Sequence, residues 1–364
     1  MTSEYWDIIQ PDFKSINYKN FYTELLTYTN KALKVIHEKN GHQPPFVVTN
    51  YLNDRTLNAK VKYVEVNSYQ LGINIALPAL IHFYFNNILR TSNYLSHLGS
   101  LDGDYIHSFY KSGIPTSLPE NIEILEAIPM ITGSSRPIDD ARAAAAVALT
   151  KIAVSFCIYH EIAHIELGHI KTFQSDFDQI EFVEFTSINQ YIKNYKVRQV
   201  WEYEADKTAA IIVISDMVES QNFNDLTTQF ELSQESIDDL IGIVVSSIYS
   251  LFHQITYKTK WWKFNNTHPK PLTRIIAIIE EVILYVEENY PNRISNSRDF
   301  QETVWSAFYS THYAWKEMKL YKLQNLNKQK IWRKAYQELS KLETNRKLFN
   351  KLYKHNSYDY PFYE

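Results

Sequence analysis

One short stretch of the sequence carries two histidines and a glutamate at a spacing that suits metal chemistry. His160, Glu161 and His164 stand in the order His-Glu-Ile-Ala-His. On a helix, the two imidazoles project from the same face, about one turn apart. They can then fill two corners of a tetrahedral zinc site, while Glu161 reaches a metal-bound water from the side without being a ligand. The pattern therefore predicts a zinc site with a general base beside it.

A zinc site of this kind needs a third protein ligand. The nearby candidates are Glu166, His169, Glu202, Glu204 and Asp206. Glu202 and Asp206 are four residues apart and share a helical face with Arg198. One carboxylate can bind zinc while the other accepts the free N–H of a ligating histidine and fixes its orientation. We expect Glu202 to be the ligand and Asp206 to be the carboxylate that orients a ligating histidine, although the pair alone would suggest only a solvated acidic face.

A longer zinc pattern places a glycine and a third histidine at fixed offsets after the motif. Leu167 and Ile170 occupy those offsets, so that pattern is not met. We therefore interpret His169 as a residue that caps the helix end or packs there. If it were a fourth ligand, the site would be closed by protein groups and purely structural.

A third phrase of interest lies further along the chain, where His268-Pro269 is followed by Arg274-Ile275. Taken alone, this phrase is typical of a helix that begins with a proline near its first turn.

The elements that must position these residues are mainly helices. A segment that begins at Pro137 runs without a helix breaker to Gly168, a natural C-terminal stop, so the two-histidine motif lies near the end of a long helix. Further helices are predicted over 194–218, from after Ser233 to about 254, over about 271–288 and through about 297–350.

The chain before the long helix has a mixed pattern. Helices are predicted over 15–39 and 79–97, and short strands between them at 46–48, 61–66 and 70–76. The last two strands form a predicted hairpin around Asn67-Ser68. The strand at 70–76 could be an edge that pairs with an extended substrate, although an ordinary sheet strand is the simpler interpretation. The Gly- and Pro-rich connection at 98–136 has a composition that permits it to gate a site.

Composition limits the class of protein. The 364 residues are 45% hydrophobic and 21% charged, which is ordinary for a globular protein, and the net charge of −4 gives no electrostatic case for nucleic acid. The single cysteine, Cys157, excludes an intrachain disulfide framework and a multi-cysteine zinc site. No signal peptide is recognisable, and the apolar stretches are short or interrupted by charges. We therefore expect no membrane span and a cytoplasmic location.

The three phrases together resemble the gluzincin-type metallopeptidases of the HtpX and CAAX-prenyl-protease class. That class carries H-E-x-x-H on one helix, E-x-x-x-D on a second and H-P-x-x-x-x-R-I later, and the resemblance covers about residues 150–280. Members usually have membrane helices, so a soluble relative is implied. The phrase His-Glu-x-x-His-x-x-x-Gly-His also looks like the soluble ImmA-type peptidases and the Lit-type phage-exclusion peptidases of bacteria.

The resemblance implies a mainly α (α+β) fold, with a zincin-like catalytic core, a small β-sheet preceding the active-site helix, and helical N- and C-terminal extensions. We divide the chain into residues 1–136, which hold the N-terminal helix, the small β section and the long connection, then the catalytic helices at 137–290, and the helical extension at 291–364.

The activity that the resemblance implies is zinc-dependent hydrolysis of peptide bonds in a protein or peptide substrate. Zn²⁺ is held by His160, His164 and Glu202, and Glu161 is the general base. His268 is the candidate second catalytic residue, as a donor to the oxyanion, with a structural role in its loop as the alternative.

Two other functions are compatible with the same residues. One is a catalytically inactive zincin-fold protein used for binding or regulation, although such a protein has no need of Glu161. The other is an interaction protein with a structural zinc site, whose function lies in the C-terminal helices. The sequence leaves the oligomeric state open.

Overall fold

Eleven helices and a small mixed β-sheet form the described part of the chain. The structure is a computed structural model, and it describes residues 6–37, 44–91, 94–101, 115, 117–172, 181–183, 195–258, 268–317 and 328–353. The predicted mainly α (α+β) class is confirmed.

The sheet has five strands in the order β1-β2-β4-β3-β5. They are β1 (Ile8–Ile9), β2 (Phe46–Leu52), β3 (Ala59–Glu65), β4 (Ser68–Asn74) and β5 (Glu181–Val183). Strands β2 and β4 pair in parallel, and the other neighbours are antiparallel. The predicted hairpin between β3 and β4 is confirmed, and Asn67 turns it with a φ of 58°.

The simpler interpretation of 70–76, an ordinary sheet strand, is confirmed. The alternative of an edge strand is wrong, because β4 lies between β2 and β3. A parallel pairing that inserts β2 beside β4 is long-range, so alternation along one strand could not show it. The sheet is also not completed before the long helix, since β5 follows that helix in the chain and pairs with β3.

The helices before the long helix differ from their predicted bounds. The single helix predicted over 15–39 is two helices, α1 (Ile16–Leu26) and α2 (Tyr28–His37), separated at Thr27. The next helix, α3 (Ala76–Thr91), begins and ends earlier than predicted. The predicted connection at 98–136 contains helix α4 (Ile124–Ser134), which holds Pro129 and Gly133, two residues that read as breakers. Residues 102–114 and 116 of this connection lie outside the described residues, so the idea that it gates the site stays a prediction.

The long helix α5 (Asp140–Glu166) runs through the core. It begins three residues after Pro137, because the side chain of Asp139 caps it by accepting a hydrogen bond of 3.0 Å from the backbone N–H of Arg142. Backbone N–H groups of Ser100 and Arg142 lower the pKa of that capping carboxyl. The helix ends as predicted at Gly168, which has a φ of 73°.

Among the described residues, α5 is the one helix long and apolar enough to cross a membrane. However, 78% of its apolar window is buried inside the structure, as in the core helix of a soluble protein.

The remaining helices surround α5 and one another. They are α6 (Tyr195–Val218), α7 (Ser220–Gln229), α8 (Asp238–Lys258), α9 (Pro271–Asn289), α10 (Ser297–Glu317) and α11 (Lys328–Tyr353). Helix α5 packs against α3, α6 and α8, and α6 also packs against α9 and α11. The side chains near the end of α5 therefore face α6, which carries the acidic phrase.

Candidate metal centre

The last turns of α5 supply three buried polar side chains in an apolar helix. His160, Glu161 and His164 are each at most 2% exposed, and the residues before them, such as Ile152 and Phe156, belong to the core. A buried cluster of ionisable groups is costly unless a partner compensates it. The four-residue spacing of His160 and His164 places both imidazoles on one face of α5, as predicted.

Glu202 comes from α6 and meets this face. The Nε2 atoms of His160 and His164 are 3.0 Å apart, and Oε2 of Glu202 lies 3.4 Å from Nε2 of His160. The three ligand atoms lie within 4.8 Å of one another, and all three residues are buried. The structure thus brings together the three side chains that the sequence predicted as metal ligands.

The arrangement fits a tetrahedral ion. Bonds of about 2.0–2.1 Å to a tetrahedral zinc place its ligand atoms roughly 3.3 Å apart, close to the separations of 3.0 and 3.4 Å. Oε2 of Glu202 is buried and accepts no hydrogen bond from the described residues. A cation between these atoms would compensate that oxygen and the two facing nitrogens.

Asp206 lies behind His160, as the sequence predicted for it. Its Oδ1 is 3.1 Å from Nδ1 of His160, on the side of the ring away from the other ligands. Arg274 donates two hydrogen bonds of 2.6 Å to the same carboxylate, and its guanidinium lies over the ring of Phe252 at 4.4 Å. The third sequence phrase therefore reaches the centre through Arg274, and it is more than a helix boundary.

The other carboxylate oxygen of Glu202 has its own donor. Nε of Arg198, one turn earlier on α6, donates a hydrogen bond of 3.3 Å to Oε1. Arg198 is buried, so it partly compensates the carboxylate charge and orients it while Oε2 stays directed to the histidines.

Of the two roles expected for His169, packing is confirmed, because the buried ring stacks on Trp201, whereas its ring nitrogens face side chains and not the carbonyls of the helix end. Its Nδ1 is 2.9 Å from Nδ1 of His164, and its Nε2 is 3.4 Å from Oε2 of Glu204. Burial lowers the pKa of His169. Spacing alone could not show this contact, because the turn at Gly168 brings the ring back toward His164.

His268 lies just before α9, whose first residue is the expected proline, Pro271. Its Nε2 is 3.4 Å from Oε2 of Glu202, and its side chain is 16% exposed, more than any of the three ligands. The structure therefore brings this candidate catalytic residue to the open side of the cluster.

A narrow pocket reaches His160 and Glu161. Its other lining residues are Ala59, Phe156, Cys157, Leu251, Phe252 and Arg274. Cys157 is buried in this wall of the pocket. Ala59 begins β3, so the sheet meets the centre at this point.

The C-terminal helix α11 supports α6 and the start of α9, two of the elements that form the centre. The sequence did not predict this support. Glu338 accepts a hydrogen bond of 2.8 Å from the hydroxyl of Thr273 and one of 3.4 Å from the backbone N–H of Lys270, close to His268. Glu343 accepts a short hydrogen bond from the hydroxyl of Tyr203, next to Glu202.

The fold and the cluster define a class of protein: a mainly helical chain with a buried two-histidine, one-carboxylate group that could bind a metal ion. The sequence model of a family described as Peptidase U49 matches residues 117–290, a span that contains all three phrases. This match supports a peptidase, and hence a hydrolase. No curated protein matches the chain, and no solved structure matches it.

Proposed function

We propose that this chain is a zinc-dependent endopeptidase of the gluzincin type, which hydrolyses peptide bonds in a protein substrate. The observation that carries the proposal is the convergence of His160, His164 and Glu202, with Glu161 next to the first of them. The match to a peptidase family over the same residues supports it independently of the geometry.

The donor set favours zinc in a catalytic site. Two imidazoles and one carboxylate with a further position open match the ligands of hydrolytic zinc centres. The same donor types also serve non-haem iron. In this chain a glutamate directly follows the first histidine, and the second histidine stands three residues after that glutamate. This is the arrangement of metallopeptidases, and it favours hydrolysis.

His169 could have closed the site as a fourth ligand. Its two ring nitrogens lie against His164 and Glu204 instead. This placement supports a three-ligand centre rather than a closed structural one.

Each side chain of the centre has a role in the proposed reaction. A zinc ion bound there would lower the pKa of a water molecule to about 7 and polarise the scissile carbonyl. Glu161 accepts a proton from the attacking water and returns it to the leaving amine. His268 donates a hydrogen bond to the oxygen that becomes negative, from the more exposed side of the cluster. Asp206 accepts from His160 and keeps that ring oriented.

The substrate has to approach through a confined space. Glu161 is buried, and the pocket beside it is narrow. An extended peptide therefore requires this pocket to widen. Because β4 is internal, it is not the strand with which such a peptide pairs. The cytoplasmic location and the protein or peptide partner stay predictions from the sequence.

The proposal is tested by looking for new peptide termini. The full chain is stripped of metal, reloaded with Zn²⁺ and incubated with a mixture of proteins, and new α-amino groups are labelled and identified by mass spectrometry. We expect zinc-dependent cleavage by the parent and none by Glu161→Gln, although that variant still binds zinc.

The matched control is Glu166→Gln, the same substitution at a buried glutamate on the same helix. Glu166 contacts His37 rather than the metal centre, so this variant should cleave. Cleavage by Glu161→Gln, or by the metal-free parent, would contradict the proposal, as would a zinc-loaded parent that cleaves nothing.

A further inference from the structure

His169 occupies a defined place behind a metal ligand. The left-handed turn at Gly168 ends α5, and the chain becomes helical again at 169–172. This brings Nδ1 of His169 to 2.9 Å from Nδ1 of His164, the ring nitrogen opposite the one that faces His160.

Only one arrangement of protons satisfies both contacts of His169 when His164 binds a metal. A ligating Nε2 carries no proton, so His164 is protonated on Nδ1. His164 can donate this N–H to Nδ1 of His169 only if that nitrogen carries no proton. The neutral His169 ring then has its proton on Nε2, which faces Oε2 of Glu204 at 3.4 Å. The contacts form one chain from His164 through His169 to Glu204.

We propose that His169 is a positioning residue, which holds His164 in the tautomer and ring orientation needed to bind zinc, with Glu204 as its acceptor. This inference rests on the proposed function, because it takes His164 to be a metal ligand. It assigns His169 and Glu204 roles beyond the ligands, the general base and the oxyanion donor.

The surroundings hold the His169 ring in place. It is buried and stacks on Trp201, with ring centroids 5.2 Å apart and an angle of 17° between the planes. Residues 201–206 of α6 thereby supply one metal ligand, Glu202, and two further carboxylates, one that contacts His160 directly and one that contacts His164 through His169. Asp206 is the partner of His160, and the pair His169–Glu204 has the corresponding place behind His164.

Two variants separate positioning from packing. His169→Asn keeps an oxygen that can accept from Nδ1 of His164 but loses the aromatic stack. His169→Phe keeps the stack on Trp201 but cannot accept a hydrogen bond. If His169 positions His164, zinc affinity depends on the acceptor. If His169 only packs, affinity depends on the ring.

The experiment measures the zinc dissociation constant of the metal-free full chain by competition with a chromophoric chelator, with circular dichroism as a check on folding. Loss of a partner behind a metal ligand typically weakens binding by about 10- to 100-fold. We expect that loss in His169→Phe and recovery to within a few-fold of the parent in His169→Asn. Parent-like affinity in His169→Phe, or equal loss in both variants, would overturn the role of His169.

A measurement on the unaltered chain covers the case in which a variant does not fold. Long-range proton–nitrogen NMR spectra of the zinc-loaded, histidine-labelled protein report which ring nitrogens carry protons. We expect His169 protonated on Nε2 alone, and protonation on Nδ1 would overturn the proposal. A folded parent that binds no zinc would remove the proposed function as well, whereas a zinc-binding parent with the wrong His169 result would remove only this inference.

Discussion

Arg274 holds the carboxylate of Asp206 through two parallel hydrogen bonds, from Nε to Oδ2 and from Nη2 to Oδ1, each 2.6 Å long. Both side chains are buried, and Oδ1 of Asp206, which accepts from Nη2, also lies 3.1 Å from Nδ1 of His160. The start of α9 is thus joined to the metal centre through a bidentate ion pair, which fixes the oxygen that faces the ligand.

We predict that Arg274→Met lowers the free energy of unfolding by about 3–5 kcal/mol, because it leaves the charge of Asp206 buried without its partner. Denaturant unfolding measures this. The control is Arg298→Met, which removes an exposed arginine paired with Glu302 and should cost less than about 1 kcal/mol. Equal effects of the two substitutions would contradict the prediction.

Asp206→Asn tests the contact with His160. We expect zinc affinity to fall by about 10- to 100-fold, since an amide orients the imidazole less firmly than a carboxylate. Chelator competition measures the affinity, with Asp216→Asn, a buried aspartate of α6 bonded to Tyr159, as the matched control. Parent-like affinity in Asp206→Asn would show that the contact does not orient His160.

His268→Ala should reduce the turnover of a peptide substrate by about 10²–10³-fold, the usual cost of losing one oxyanion donor. Zinc content should stay unchanged, because His268 is not among the three proposed ligands. Lys270→Ala is the control, since this exposed side chain lies two residues away and pairs with Glu338. Unchanged turnover in His268→Ala would leave His268 with the structural role in its loop.

The C-terminal helix should influence catalysis through Glu338. Glu338→Ala removes the acceptor for the Thr273 hydroxyl and for the Lys270 backbone N–H, so we expect a loss of about 1–2 kcal/mol in unfolding free energy. Turnover should fall while zinc content does not, because the loop that carries His268 loses its support. An exposed glutamate in α10, Glu302, provides the control substitution. Parent-like stability and turnover in Glu338→Ala would remove this role for α11.

The buried histidine His253 should make the fold sensitive to acid. Burial, together with the neighbouring His312, lowers the pKa of His253 to about 3. Below about pH 6.5 the unfolded chain binds a proton that the folded chain does not. The contribution of His253 to the free energy of unfolding is thus fully present above that pH. As the pH falls toward 3, the free energy of unfolding decreases by at most about 1.4 kcal/mol per pH unit. Unfolding of the parent and of His253→Gln over this range should show a shallower dependence in the variant, and identical slopes would contradict the assignment.

The sequence predicted the parts of the centre that depend on spacing along one helix. His160 and His164 share a face of α5, and Arg198 meets Glu202 one turn later on α6, because four-residue spacing fixes both relations. The helix that begins at Pro271 was predicted from another local signal, a proline in its first turn.

Relations between distant segments were not predictable in this way. The parallel pairing of β2 with β4, which makes β4 internal, depends on how the chain crosses over. The contact of His169 with His164 depends on the left-handed turn at Gly168, and the support from Glu338 depends on how α11 docks. Each needs tertiary geometry that composition and periodicity do not contain.

Metal content per chain, measured by elemental mass spectrometry, shows whether His160, His164 and Glu202 hold one zinc ion. The parent, Glu202→Ala and Glu166→Ala are prepared together with zinc supplied, and Glu166 serves as the control because it pairs with His37 away from the centre. We expect about one zinc per chain in the parent and in Glu166→Ala, and little in Glu202→Ala. Equal zinc in the parent and Glu202→Ala, or none in a folded parent, would contradict this expectation.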